Sequence, residues 1–146
     1  MGASHIKPFD IVWIDDQYSN LYPLMRPLID QGFSLTGLET YFDVADRLET
    51  IRLAKLIVLD MIIPPGPIDP PITTEKYLGL AALKFLREQG VQVPTLVYTV
   101  VRDEEAIADI LAHDPLVVKV FQKGGKFKSS EFTSQAREII MKRAQQ

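Results

Sequence analysis

Five polar residues stand where apolar, strand-like runs stop: Asp15 and Asp16 after FDIVWI, Asp60 after KLIVL, Thr99 after PTLVY and Lys123 after LVVKVFQ. Adjacent carboxylates beside a third repel one another and raise at least one pKa unless a cation joins them. Hard oxygen ligands suit Mg2+, which takes few protein ligands and keeps several waters. Asp15, Asp16 and Asp60 are therefore a candidate Mg2+ cluster. Lys123 adds a mobile point charge able to pair with a carboxylate or a phosphate. Thr99 offers a hydroxyl donor able to follow a phosphoryl oxygen. A carboxylate nucleophile, a divalent ion, an amine and a hydroxyl are parts suited to forming an aspartyl phosphate. Phosphoryl transfer needs mainly positioning and charge neutralisation, and this set offers both.

The elements that must gather these groups alternate along the chain. Phe9–Ile14 reads as a continuous apolar strand, as expected when helices cover both faces of a sheet. Ser19–Gln31 carries Leu21, Leu24, Met25, Leu28 and Ile29 at helical spacing, with Pro27 expected to kink or shorten the helix and Gly32 to end it. Ser34–Leu38, interrupted by Gly37, predicts a weak strand at a sheet edge or bulge. Phe42–Leu53 predicts one amphipathic helix with Asp43 in its first turn. Leu56–Leu59 is the third strand. A segment holding Pro64, Pro65, Pro67, Pro70 and Pro71 then predicts an extended loop, because proline donates no hydrogen bond and disfavours helix before it. Thr73 or Thr74 is a candidate cap for a helix running to about Glu88 and ended by Gly90. Thr95–Tyr98, a helix capped by Asp103, the strand Leu116–Phe121 and the helix Glu131–Ala144 complete the pattern. Alternation of this kind implies a doubly wound α/β sandwich with a parallel sheet, which would bring all five polar residues to its carboxyl edge.

Composition excludes several classes. A chain of 146 residues is long enough to bury an ordinary core, and we read 1–8 as a tail and 9–146 as one domain. Hydrophobic residues at 47% with 24% charged residues fit a globular protein rather than a disordered one. The longest apolar stretch is broken by Asp60, so no membrane span is expected, and MGASHIKPFD lacks the apolar segment of a signal peptide. The absence of cysteine rules out thiolate metal sites and agrees with a cytoplasmic setting. His5 and His113 are too far apart in sequence to suggest zinc; His5 is expected in the tail and His113 at a helix end. A net charge of −3 leaves no footprint for nucleic acid, and KGGKFK is read as a loop that helps neutralise the acidic site. Trp13 is expected to pack beneath the site as core. The proline-rich segment is read as a rigid surface loop rather than a polyproline ligand.

The acidic pair in IVWIDDQ, Asp60 in LIVLDMIIP, Thr99 in TLVYT and Lys123 in VFQKG make the chain resemble the receiver domains of two-component response regulators. The likeness runs from Phe9 to the final helix and rests on the order, strand placement and spacing of the motifs. It implies a flavodoxin-like fold with five parallel strands in the order 2-1-3-4-5. It also implies that Asp60 is the phospho-acceptor, charged by a histidine kinase or phosphotransfer protein. Asp15, Asp16, Asp60 and the backbone carbonyl of Ile62 would hold Mg2+, and Thr99 and Lys123 would sense the phosphoryl group. Such a module is not an enzyme beyond its own phosphotransfer and slow dephosphorylation. Its output would be protein binding through the fourth helix, fifth strand and fifth helix of the predicted pattern.

Departures from the family pattern cluster around the switch. The stretch from Asp60 to Thr99 is longer than usual, with the proline-rich loop as the site of the extra length. Val100 replaces the usual small residue after the threonine, and Gly124 replaces the usual proline after the lysine, where positive φ is an alternative to a cis bond. Val120 stands where the family has an aromatic, with Phe121 beside it. These departures motivate a second reading, a pseudo-receiver that binds partners irrespective of phosphorylation. A third reading is a Mg2+-dependent phosphohydrolase with an aspartyl nucleophile. Such enzymes usually carry a second carboxylate two positions after the nucleophile, and Gln17 and Ile62 occupy those places here.

Overall fold

Strand β1 (Ile11–Ile14) is buried at every residue, as an apolar run must be when both faces of its sheet are covered. In the computed structural model, which describes residues 7–67, 69 and 73–145, β1 pairs in parallel with β2 (Leu35–Leu38) and β3 (Leu56–Leu59). Strands β4 (Thr95–Thr99) and β5 (Val117–Gln122) continue the parallel sheet in the order β2-β1-β3-β4-β5. This is the flavodoxin-like order, and the glycine-interrupted β2 lies at an edge as its sequence implies. His5, most of the predicted tail and part of the proline-rich segment (Ile68 and Pro70–Ile72) fall outside the described residues.

Period-2 alternation divides the strand side chains between two cores. Ile11, Trp13, Leu56, Val58, Leu96 and Phe121 face α1 (Tyr22–Asp30) and α6 (Ser129–Ala144). Val12, Ile14, Ile57, Leu59 and Val97 face α2 (Tyr41–Asp46), α3 (Leu48–Arg52), α4 (Leu78–Glu88) and α5 (Glu104–His113). Trp13 is fully buried and stacks on Phe132 at 5.5 Å between centroids, so it is core, as its sequence context suggested. Removing a ring as deeply buried as Phe132 costs about 3–5 kcal/mol, from lost transfer energy and the cavity left behind.

Local chemistry explains most helix ends. Thr40 and Asp43 form a reciprocal capping box on α2, and Asp103 Oδ1 accepts the Ala106 N–H at the start of α5. Gly32 and Gly90 follow α1 and α4 at φ +93° and +77°, the left-handed geometry of a C-terminal stop. Among the described residues no helix is long and apolar enough to cross a membrane.

Pro27 lies inside α1, which runs from Tyr22 to Asp30 and so is shorter than the predicted 19–31; its missing N–H leaves only a carbonyl of the exposed first turn without a helical donor. Two expectations need correction. The predicted helix over 42–53 is two short ones, broken at Arg47 (φ −109°, ψ 32°), where no glycine or proline marks the change. Neither Thr73 nor Thr74 caps α4: Thr73 Oγ1 accepts the N–H of Glu75, and α4 begins only at Leu78. The delay has a cause downstream, because Lys76 Nζ and the Tyr77 hydroxyl both donate to Asp103 Oδ2 at 3.0 and 3.1 Å. That holds the segment extended. A donor of the first turn of α4 is then satisfied from the loop just after β3, Gly79 N–H donating to Met61 O at 2.9 Å.

Candidate functional site

Sheet register brings the candidate residues together. Ile14 lies opposite Leu59, so Asp15 and Asp60 leave the same edge side by side, with the Asp60 N–H donating to Ile14 O at 2.9 Å. Thr99 ends β4, and the Lys123 N–H donates to Thr99 O at 2.7 Å just beyond β5. All five predicted residues therefore share the carboxyl edge, where open α/β sheets form their crevice.

Asp60 is nearly buried, and both of its oxygens are engaged. Oδ1 accepts from the Thr99 hydroxyl at 2.7 Å and from the Ile62 N–H at 3.1 Å. Oδ2 accepts from Lys123 Nζ at 3.0 Å, and the same amine donates to Asp15 Oδ2 at 2.7 Å. Asp15 is fully buried, and its Oδ1 accepts the Gln17 N–H at 2.9 Å. Burial pushes the Asp15 carboxyl up from its ordinary range. Its bonds to Lys123 and Gln17 oppose that shift, and the charge of Asp60 adds to it. Burial alone would lower the Lys123 amine, but its bonds to Asp15 and Asp60 outweigh that and raise it.

Asp16 is exposed at the mouth of the site. One carboxylate oxygen each from Asp15, Asp16 and Asp60 lies within 4.8 Å of the others. Three formal negative charges against the one of Lys123 leave an excess that a hard divalent cation matches. An all-oxygen set of this size is what Mg2+ takes alongside water, so the residues present fit the ion.

The departures from the family pattern also have definite places. Val100 stands exposed at the rim, and Val120 packs toward α5, against the core that includes Ile110. Phe121 is buried on the opposite face, touching Phe127 and Phe132 at 4.9 and 5.1 Å. No cis peptide occurs among the described residues, and Gly124 takes φ +72°, the alternative that a glycine there permits.

Two features escaped the sequence reading. A Cβ on Gly79 would overlap the carbonyl oxygen of Asp60, so glycine is what lets α4 close behind the acidic residue. The second is the path of the proline-rich segment: Pro64 O and Pro65 O accept the N–H groups of Tyr41 and Phe42 at 3.0 and 3.1 Å. Those are the free donors of the first turn of α2, so the segment that follows Asp60 is strapped onto that helix. A helix-initial glycine after a proline run was a legible hint of the first feature. A backbone-to-backbone contact leaves no trace in side-chain types, so the second had none.

No protein-family model matches the chain, and no curated protein matches it. Solved structures do. A CheY-like response regulator receiver domain protein from Methanospirillum hungatei JF-1 superposes with TM-score 0.70 at 13% identity, covering 95% of this chain and 98% of that one. The signal receiver domain of an HD domain-containing protein from Pseudomonas fluorescens Pf-5 gives TM-score 0.70 at 16% identity over 96% and 100%. The receiver domain of NtrX from Brucella abortus gives 0.68 at 17% over 90% and 98%. In strand order, layering and extent, the chain has the fold of response regulator receiver domains.

Proposed function

We propose that this chain is a phospho-accepting receiver module in which Asp60 takes a phosphoryl group from a histidine of a partner kinase or phosphotransfer protein. The observation that carries this reading is the setting of Asp60. It is nearly buried at a sheet edge, with a hydroxyl on one oxygen, an amine on the other and two further carboxylates beside it.

In the step itself an Asp60 oxygen attacks phosphorus and forms the acyl phosphate, while the phosphorus–nitrogen bond to the donor imidazole breaks and its electron pair stays on that nitrogen. Asp15, Asp16 and Asp60, with the Ile62 carbonyl, would hold Mg2+, which when bound neutralises charge on the phosphoryl oxygens. Lys123 exchanges one of its two carboxylate partners for an incoming phosphoryl oxygen. Thr99, whose hydroxyl already points at Asp60, turns its donation to the phosphoryl group. The loaded protein then signals by binding another protein rather than by turnover. The surface we assign to that binding is α5, β5 and α6, the face expected from the sequence once the split second helix is counted.

Intact mass after incubation with a small phosphodonor such as acetyl phosphate and Mg2+ tests the reading. The wild type gains one phosphoryl group and Asp60→Asn gains none; equal labelling of the two contradicts it. One observation favours the pseudo-receiver as a second reading: Lys123 already bridges Asp15 and Asp60, a satisfied arrangement with no ligand. On that reading Asp60→Asn leaves partner binding unchanged.

A further inference from the structure

Tyr98 was singled out neither by motif nor by spacing, yet its ring borders the site at Lys123. Lys123 Nζ sits 5.4 Å from the centroid of its ring. The amine thus donates to two carboxylates and also lies over an aromatic face, whose quadrupole attracts it. Tyr98 precedes Thr99 on β4, and period-2 alternation turns it to the opposite face, toward α1 and α6.

On that face the ring is part of a continuous aromatic cluster. Tyr98 lies in register with Phe121. It meets Phe127 edge-on at 6.0 Å and 88°, and Phe132 of α6 at 5.8 Å and 63°. Phe132 in turn stacks on Trp13 at 5.5 Å and 29°. On the other face, Val120 offers only a small aliphatic contact toward α5. Packed interiors transmit displacement because they are close to crystal density. The ring beside the Lys123 ammonium is thus continuous, by aromatic contacts, with α6.

We infer that Tyr98 is a positioning residue of this site, holding Lys123 through its ring face and coupling its position to α6 through Phe127 and Phe132. The inference rests on the receiver reading, because it is phosphoryl loading that moves Lys123. It differs from that reading in naming the residue and the direction of the output.

Trp13 is the chain's single tryptophan, so its emission reports on the α6 side while intact mass reports loading independently. Wild type, Tyr98→Phe and Tyr98→Leu are each treated with acetyl phosphate and Mg2+. All three are expected to gain the phosphoryl mass. The change in Trp13 emission should persist in Tyr98→Phe, which keeps the ring, and fall at least about fivefold in Tyr98→Leu. Slower loading of Tyr98→Leu, restored in Tyr98→Phe, is the same effect read at Lys123. A wild-type emission change in loaded Tyr98→Leu, or a loaded wild type with silent Trp13, overturns the coupling and leaves the receiver reading intact. A wild type that gains no mass overturns both. Hydrogen exchange on the wild type removes any dependence on how the leucine variant folds. Loading should alter protection more in residues 127–136 than in 104–113, and the reverse ranking overturns the coupling.

Discussion

The two edges of the sheet treat charge differently. At the amino edge, Asp10 Oδ2 accepts the Ser34 N–H at 2.8 Å and the Ser34 hydroxyl at 3.2 Å, and Lys55 Nζ lies 3.2 Å from Oδ1. Near the start of β4, Arg87 donates to Asp114 at 3.0 Å, to the carbonyls of Val91 and Val93 at 3.0 and 3.1 Å, and to the Thr95 hydroxyl at 2.9 Å. Each acid there is matched by a base and by donors fixed in the fold. At the carboxyl edge, Asp15, Asp16 and Asp60 cluster together, and the one base among them, Lys123, pairs with Asp15 and Asp60. Both edges are well hydrogen-bonded, so bonding alone does not mark a site. Uncompensated charge does, because only the carboxyl edge has something left for a cation and a phosphoryl group to do.

Variants at the two edges should separate these roles. Asp60→Asn is expected to reduce phosphoryl loading to background while thermal unfolding stays close to wild type. Arg87→Met should do the opposite. It strands Asp114 in a largely buried place and costs about 3 kcal/mol by denaturant titration, while the folded fraction still loads. Loading lost in Arg87→Met under folded conditions would erase the contrast between the edges.

Lys123→Met is intermediate. It leaves Asp15 and Asp60 without their shared counter-charge, so unfolding should occur at lower denaturant in the absence of Mg2+ and recover most of the difference when Mg2+ is added. Loading should slow by roughly tenfold or more, the size of one positioned charge in a shielded site. Absence of Mg2+ rescue would mean that the three acids do not hold the ion together.

The smallest effect has a sign that distinguishes the two ends of β1. Burial works to raise the Asp10 carboxyl, but the Ser34 and Lys55 contacts outweigh it and hold the group below its ordinary range. Its contribution to stability is present above the unfolded value near 3.8 and is lost as pH falls through the lower folded value. Asp15 is raised, so its protonated form is the stabilising one, and that stabilisation is lost as pH rises through the folded value. Asn mimics the protonated state. Asp10→Asn should therefore lower the melting temperature at neutral pH and flatten the acid limb, and Asp15→Asn should raise it slightly in Mg2+-free buffer. Equal signs in the two melting curves would break the comparison.

Much of this was legible in the residues, for physical reasons. Strands buried on both faces announce themselves as continuous apolar runs, and the polar residue that ends each run is the one left at the edge. That is why Asp15, Asp60, Thr99 and Lys123 read as one constellation in the sequence itself. Asp103 capped its helix as its type and place suggested. The failures share another origin. The break at Arg47 carries no breaker residue, and the late start of α4 depends on Asp103, which draws in Lys76 and Tyr77 from far along the chain. Tyr98 looked like one more apolar strand residue, because an aromatic ring is equally suited to a core and to an ammonium. Only tertiary contact distinguishes the two.

The most direct test of the central claim locates the covalent bond itself. After loading with acetyl phosphate and Mg2+, borohydride reduction converts an aspartyl phosphate to homoserine, which peptide mass mapping assigns to a position. The account predicts homoserine at position 60 alone. Homoserine at 15 or 16 instead, or none in a protein whose Mg2+ binding is intact, would contradict it.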